Sequence, residues 1–190
     1  MSPLVKPERV RRQQLLRQAE GYLELCTACD SFGGLSGTLR KRIVERGIAC
    51  LDEIDLRPSV EAHVFRLRGQ LLRVAERYGV AIDWLKQALS LTPQDLDLYV
   101  SLGWCYKRLQ RLDDAIDVLE QATRIPDESG IIRYNLACYF ALAGDVHATI
   151  SNLAIAFETR PQLRELVATE TDFDPIRDDP DFQAVIGAAV

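Results

Sequence analysis

The chain has 190 residues, 47% hydrophobic and 27% charged, which is enough apolar material to bury a continuous core beneath a soluble surface. No apolar run approaches the roughly 20 residues of a membrane span, and Lys6, Arg9, Arg11, Arg12 and Arg17 interrupt the stretch where a secretory segment would be apolar, so a cytoplasmic protein is expected. The net charge of −5 conceals a split: residues 1–78 hold 14 Lys and Arg against 10 Asp and Glu, and residues 79–190 hold 9 against 18, a balance that argues against a nucleic-acid partner.

Residues 7–30 form a long amphipathic segment, with Val10, Leu15, Ala19, Tyr22, Leu23 and Cys26 at roughly helical spacing. The stretch Phe32-Gly33-Gly34-Leu35-Ser36-Gly37 reads as a loop, and residues 38–57, closed by Pro58, read as a second helix. From here a period takes over. Gly69, Gly103 and Ala137 stand 34 residues apart, as do Ile82, Ile116 and Ile150, then Leu85, Leu119 and Leu153, then Ala88, Ala122 and Ala156. Small residues in one column let two helices approach, and aliphatic columns bury a face. The period therefore predicts stacked helix-turn-helix units over 61–94, 95–128 and 129–161. Stepping the columns back by one period lands on Ile48, Leu51 and Ile54, so 38–57 is the second helix of a degenerate unit whose first helix, 7–30, is displaced by the inserted loop.

Residues 162–169 add one short helix, and the acidic stretch after it carries Phe173 and Phe182. A stacked array must cover the apolar side of its last unit, and acidic residues around two anchoring rings suit a cap. The expected organisation is an amino-terminal helical segment over 1–60, three repeats over 61–161 and capping helices over 162–190.

The middle unit places Tyr99, Leu102, Gly103, Tyr106, Ala115, Leu119, Ala122 and Pro126 where the tetratricopeptide repeat (TPR) family has its signature residues, and the chain resembles that family on this ground. The unit before it offers Phe65, Gly69, Leu72, Ala81, Leu85, Ala88 and Pro93, with Arg68 where Leu is expected; the unit after it offers Leu136, Ala137, Phe140, Gly144, Leu153, Ala156 and Pro161, with Thr149 where Ala is usual. Tyr134 to Cys138 together with the terminal stretch resembles the end-of-array module of bacterial TPR proteins. The resemblance implies an all-α fold, a right-handed α-α superhelix of helix-turn-helix repeats with helical caps, whose first helices line a concave groove. It further implies a non-enzymatic protein–protein interaction module, an adaptor or assembly factor.

At the family's groove positions the first repeat carries Arg66, Gln70 and Arg73, the second Ser101, Trp104, Lys107 and Arg108, and the third Tyr134, Asn135 and Cys138. Cations, large aromatic faces and amide side chains suit a protein or peptide segment with acidic residues around an apolar anchor near Trp104. The plain alternative packs Trp104 on a neighbouring repeat and leaves the arginines solvated. The two-carboxylate clamp of chaperone-tail binders is not matched, since Ile131 and Asn135 stand where its third-repeat cations belong. A second functional class is a self-assembling scaffold in which the basic half of one copy meets the acidic half of the next; such a contact makes rings or filaments.

Other chemistry finds little footing. Cys26 and Cys29 form the one C-x-x-C pair, but a structural zinc site wants four ligands and the two histidines, His63 and His147, lie far along the chain. Neither histidine sits in a catalytic motif, no Gly-Lys-Ser/Thr succeeds the glycine-rich stretch, and Asp178-Asp179 lacks the calcium-loop pattern. No cofactor, no metal and no enzymatic activity are expected.

Overall fold

A computed structural model describes residues 5–30 and 34–187; part of the expected glycine-rich loop, Phe32 and Gly33 included, lies outside the described residues. The chain divides into two compact units, Met1–Pro93 and Gln94–Val190. The first holds α1 (Val5–Asp30), α2 (Gly37–Asp52), α3 (Pro58–Val74) and α4 (Tyr78–Leu91). The second holds α5 (Leu96–Arg108), α6 (Leu112–Ala122), α7 (Ile131–Leu142), α8 (Val146–Thr159), α9 (Arg164–Val167), a 3₁₀ segment (Thr171–Ile176) and α10 (Pro180–Gly187). The fold is all-α, and no described helix is long and apolar enough to cross a membrane.

In the first unit α1 packs on both α2 and α3. Its buried stripe of Leu15, Ala19 and Cys26 meets Val44 and Leu51 of α2 and Val64 and Leu71 of α3. The Ser36 hydroxyl accepts from the Leu39 amide to start α2, and Pro58 opens α3 where its missing N–H costs nothing. Arg68, in the position of the family's leucine, pairs with Asp52 and stacks its guanidinium 4.8 Å from the Trp84 ring centre. Its stem can cover apolar surface while its head finds a carboxylate and an aromatic face, which is how a cation is tolerated there.

The period is visible in the packing. A Cβ added to Gly69 would stand 2.6 Å from Cγ of Leu85, and one added to Gly103 would stand 3.3 Å from Cγ of Leu119, the equivalent leucine one period later. Each repeat's glycine therefore lets its first helix close onto the leucine of its second. The turns repeat too. Glu76, Gln110 and Gly144 all have positive φ, at 60°, 59° and 77°. Each is succeeded by the same pair of bonds: Arg77 to Leu72, Arg111 to Tyr106 and Asp145 to Phe140 close the wide ring, and the residue before each closes the narrow one. This is the Schellman helix ending, which demands a left-handed residue just past the helix. Thr149 occupies the alanine column with Ala81 and Ala115, and all three are fully buried. Its hydroxyl donates to the Asp145 carbonyl at 2.7 Å, so the extra polar atom is satisfied within its own helix.

The carboxyl-terminal residues cover the last repeat. Phe173 and Phe182 are fully buried with ring centres 5.5 Å apart, and Phe173 meets Tyr134 of α7 edge-on at 5.9 Å. Arg177 ties the segment together by donating to the Glu170 carbonyl at 2.7 Å and to Asp174 at 2.8 and 2.9 Å. Asp179 then caps α10 by accepting from the Asp181 amide. The polar outer face comes from exposed Asp174, Asp178 and Asp181.

Candidate partner-binding faces

On α3 of the first unit, Arg66, Gln70 and Arg73 recur at intervals of three and four residues and so share a helix face. Arg73 Nε donates to Gln70 Oε1 at 2.9 Å. Arg66 lies 3.4 Å from His63 Nδ1, whose other ring nitrogen lies 2.8 Å from a Glu20 oxygen on α1. With the Nε2–H tautomer, Arg66 donates to Nδ1 and Nε2 donates to Glu20, and all three groups are used. Glu20 is the member that sequence reasoning missed: the displaced α1 brings it to α3, and no periodicity marks it. The positive character expected from Arg66 is therefore partly offset from α1.

On α5 of the second unit, Ser101 turns its hydroxyl back to the Asp97 carbonyl at 2.7 Å and is 8% exposed. Trp104 is half-buried, with the exposed Arg108 guanidinium 5.6 Å from its ring centre. Lys107 Nζ reaches Asp172 Oδ2 at 2.5 Å and stands 5.8 Å from the Tyr139 ring. On α7, Asn135 donates to the Ile131 carbonyl at 2.8 Å, while Tyr134 and Cys138 are 5% and 2% exposed. Those two differ from the expectation of groove-facing side chains. They lie beneath the chain's own Asp172 and Phe173, because the last repeat is succeeded by a capping segment and not by another first helix.

The electrostatics of this covered patch arise from burial. Burial pushes the Cys138 thiol up; Asp172 and Glu170 add to the rise, and Lys107 opposes it. Tyr134 and Tyr139 are also pushed up, by burial first and then by the charge at Cys138 and the two carboxylates. Beside the patch lies an open cleft of about 480 Å³ lined by Lys107, Arg108, Gln110, Leu112, Leu142 and Asp172. A cleft of about 610 Å³ in the first unit lies away from the α3 face, between α2 and the turn at Glu76. Cys26 is buried and Cys29 half-buried, neither is in a disulfide, and neither joins a cluster of three metal-ligating side chains among the described residues.

Residues 73–130 match the Tetratricopeptide repeat family. Over 81 residues the chain is 35% identical to "Anaphase-promoting complex subunit 3" of Dictyostelium discoideum, a stretch that is 42% of this chain and 8% of that protein, so the chain spans a small part of the curated relative it matches. A crystal structure of MamA superposes with TM-score 0.58 at 18% identity, over 81% of this chain and 87% of that one. YrrB, described as a TPR protein with an unusual peptide-binding site, superposes with TM-score 0.54 at 20% identity, over 88% and 89%. BtubC from P. vanneervenii does so with TM-score 0.57 at 15% identity, over 96% and 88%. At these identities the likeness to solved structures is one of fold. With its glycine-to-leucine contact and helix ending recurring at 34 residues and residues 73–130 matching the family, the chain carries tetratricopeptide repeats, the fold of a protein-interaction module.

Proposed function

We propose that the chain is a cytoplasmic adaptor or assembly factor that grips an acidic segment of a partner protein, with an apolar anchor, on the first-helix faces of its repeats. The observation that carries this reading is a contact the second unit makes with itself: Lys107 receives Asp172 while Tyr134 receives Phe173. A surface that takes an acidic residue and then an aromatic one from its own chain has the chemistry to take the same pattern from another. Arg108 beside Trp104, and Arg66 with Arg73 in the first unit, supply cations for the acidic flank. TPR arrays are typically non-catalytic, which accords with this reading.

The test is capture from native lysate with the wild-type chain beside an Arg66→Glu/Trp104→Ala/Arg108→Glu variant of unchanged circular dichroism and melting. Lys107 is left in place because it holds Asp172. Partners lost only from the variant support the first-helix faces as the working surface; an identical set on both proteins moves recognition elsewhere.

A second reading, the self-assembling scaffold, is favoured by where the charge divides. The unit Met1–Pro93 carries 15 Lys and Arg against 11 Asp and Glu, and the unit Gln94–Val190 carries 8 against 17, so each compact unit has its own sign. Head-to-tail contact between copies would then grow in size at low salt and dissolve at high salt. Sedimentation velocity across a salt series checks it, and a constant monomer counts against it.

A further inference from the structure

Three side chains of the second unit converge on one point. The Cys138 sulfur on α7, a carboxylate oxygen of Glu170 and one of Asp172 all lie within 4.8 Å of one another. Cys138 and Asp172 are buried and Glu170 is half-buried. Neighbouring carboxylates and a cysteine are common without a ligand, so the deciding observation is a fourth side chain. Tyr134 precedes Cys138 by one helical turn, is 5% exposed, and has a buried hydroxyl with no hydrogen-bond partner. Its ring meets that of Phe173, the neighbour of Asp172, so Tyr134 borders the cluster from both Cys138 and Asp172. Buried tyrosine hydroxyls ordinarily find a partner, and one left over beside three ligand atoms marks a place for something to bind.

We propose that Cys138, Glu170 and Asp172 form a three-ligand site for a zinc-like divalent cation, with a water in the fourth position that accepts a hydrogen bond from Tyr134. One sulfur and two carboxylate oxygens suit a borderline cation of tetrahedral preference; calcium or magnesium would ask for six or more oxygens and would not select the thiol. With bonds of about 2.0–2.3 Å, tetrahedral ligand atoms stand about 3.3–3.8 Å apart, so side-chain adjustments of about an ångström close the site. As the sulfur–metal bond forms, the Cys138 thiol proton leaves to solvent.

Lys107 shares the site. Its ammonium holds Oδ2 of Asp172 at 2.5 Å, which leaves Oδ1 for the cation. A thiolate, two carboxylates, one ammonium and a divalent cation then balance to neutrality, which suits a buried cluster. The same ammonium repels the cation, so it tunes affinity downward. Bound metal would join α7 to the capping segment, a role that does not depend on the adaptor reading.

Cobalt(II) is the probe, titrated into the full chain under a thiol-free reductant. Thiolate-to-cobalt charge transfer and intense tetrahedral d–d bands are expected, with zinc displacing the cobalt. Cys138→Ser removes the charge-transfer band, Glu170→Gln and Asp172→Asn weaken binding at least tenfold, and Lys107→Met tightens it, while the Cys26→Ser/Cys29→Ser pair leaves the spectrum unchanged. Glu170 is only half-buried, so its variant keeps the test decisive if the cysteine variant folds poorly. No charge-transfer band at millimolar cobalt, or a band that survives Cys138→Ser or vanishes in the Cys26/Cys29 pair, overturns the proposal.

Discussion

The first-helix faces of the two units are built in the same register and meet different company. On α3, Arg73 bonds to Gln70, and Arg66 bonds to His63, whose other ring nitrogen meets Glu20 of α1. On α5 and α7, Lys107 and Tyr134 meet Asp172 and Phe173 of the carboxyl-terminal segment. The repeat sets the direction in which a side chain leaves its helix. The segments that flank the repeats decide what it finds there.

The largest effect should come from removing the ring that closes the second face. Phe173→Ala deletes a fully buried side chain in contact with Tyr134 and Phe182, and a cost of about 3–5 kcal/mol is expected by denaturant titration. The Cys138 thiol should then react readily with a thiol reagent while Cys26, buried in the first unit, stays protected. Equal protection of both cysteines would mean that Phe173 is not what covers the face.

Below that comes the helix contact common to both units. Gly69→Ala forces a Cβ to 2.6 Å from Cγ of Leu85, and a loss of about 1–3 kcal/mol is expected. In Gly103→Ala the nearest atom is Cε2 of Tyr139 at 3.1 Å, so the loss is smaller and the gain in helix propensity offsets part of it. Melting curves of the two variants check the order.

The turn before α7, in the second unit, gives a pH-dependent term. Burial pushes the Asp127 carboxyl up, but hydrogen bonds from the Ser129 hydroxyl and from the amides of Ile132, Ser129 and Gly130 outweigh it and hold the group below its usual value. A depressed carboxyl contributes its full stability above the unfolded value of about 3.9, and that stability is lost as pH falls through the lower folded value. Asp127→Ala should cost about 1 kcal/mol at neutral pH, with the gap to wild type closing in acid. Chemical denaturation at neutral and acid pH measures it.

The smallest effect has the opposite sign. Gln110 adopts the left-handed conformation that Gly144 adopts one period later. Gln110→Gly relieves a strain of roughly 1–2 kcal/mol and gives back about 0.5–1 in unfolded-chain entropy, so a gain of up to about 1 kcal/mol is expected. A lower melting temperature would show that the Gln110 side chain contributes more than its backbone costs.

The columns that repeat were the columns the sequence displayed. Gly69, Gly103, Leu85 and Leu119 are legible because the same contact is made twice at a fixed interval, and the terminal rings are legible because buried aromatics in an acidic stretch need a reason. Single accommodations were not. That Arg68 stacks on Trp84 depends on a partner in the next helix, and Thr149 fits an alanine column because its own helix supplies the acceptor, as many threonines in helices can do. Glu20 was invisible because α1 lies outside the period. Tyr134 and Cys138 were assigned by register to an open face, and register carries no record of a later segment folding back. The left-handed turns show one further limit: Gly144 advertises its backbone, whereas Glu76 and Gln110 hold the same conformation under residues that do not.

The bond from Lys107 to Asp172 joins positions 65 residues apart, far beyond the near-neighbour contacts from which a repeat assembles. Closing so long a loop is entropically slow compared with pairing adjacent helices. On the ribosome the order is imposed outright. Tyr134 and Cys138 emerge from the ribosome before Asp172 and Phe173 do, so the nascent array passes through a stage in which this apolar patch lacks its cover. That interval is when a chaperone, a partner or a second nascent copy has its easiest access to the patch, and it ends when the segment carrying Asp172 and Phe173 folds down over it.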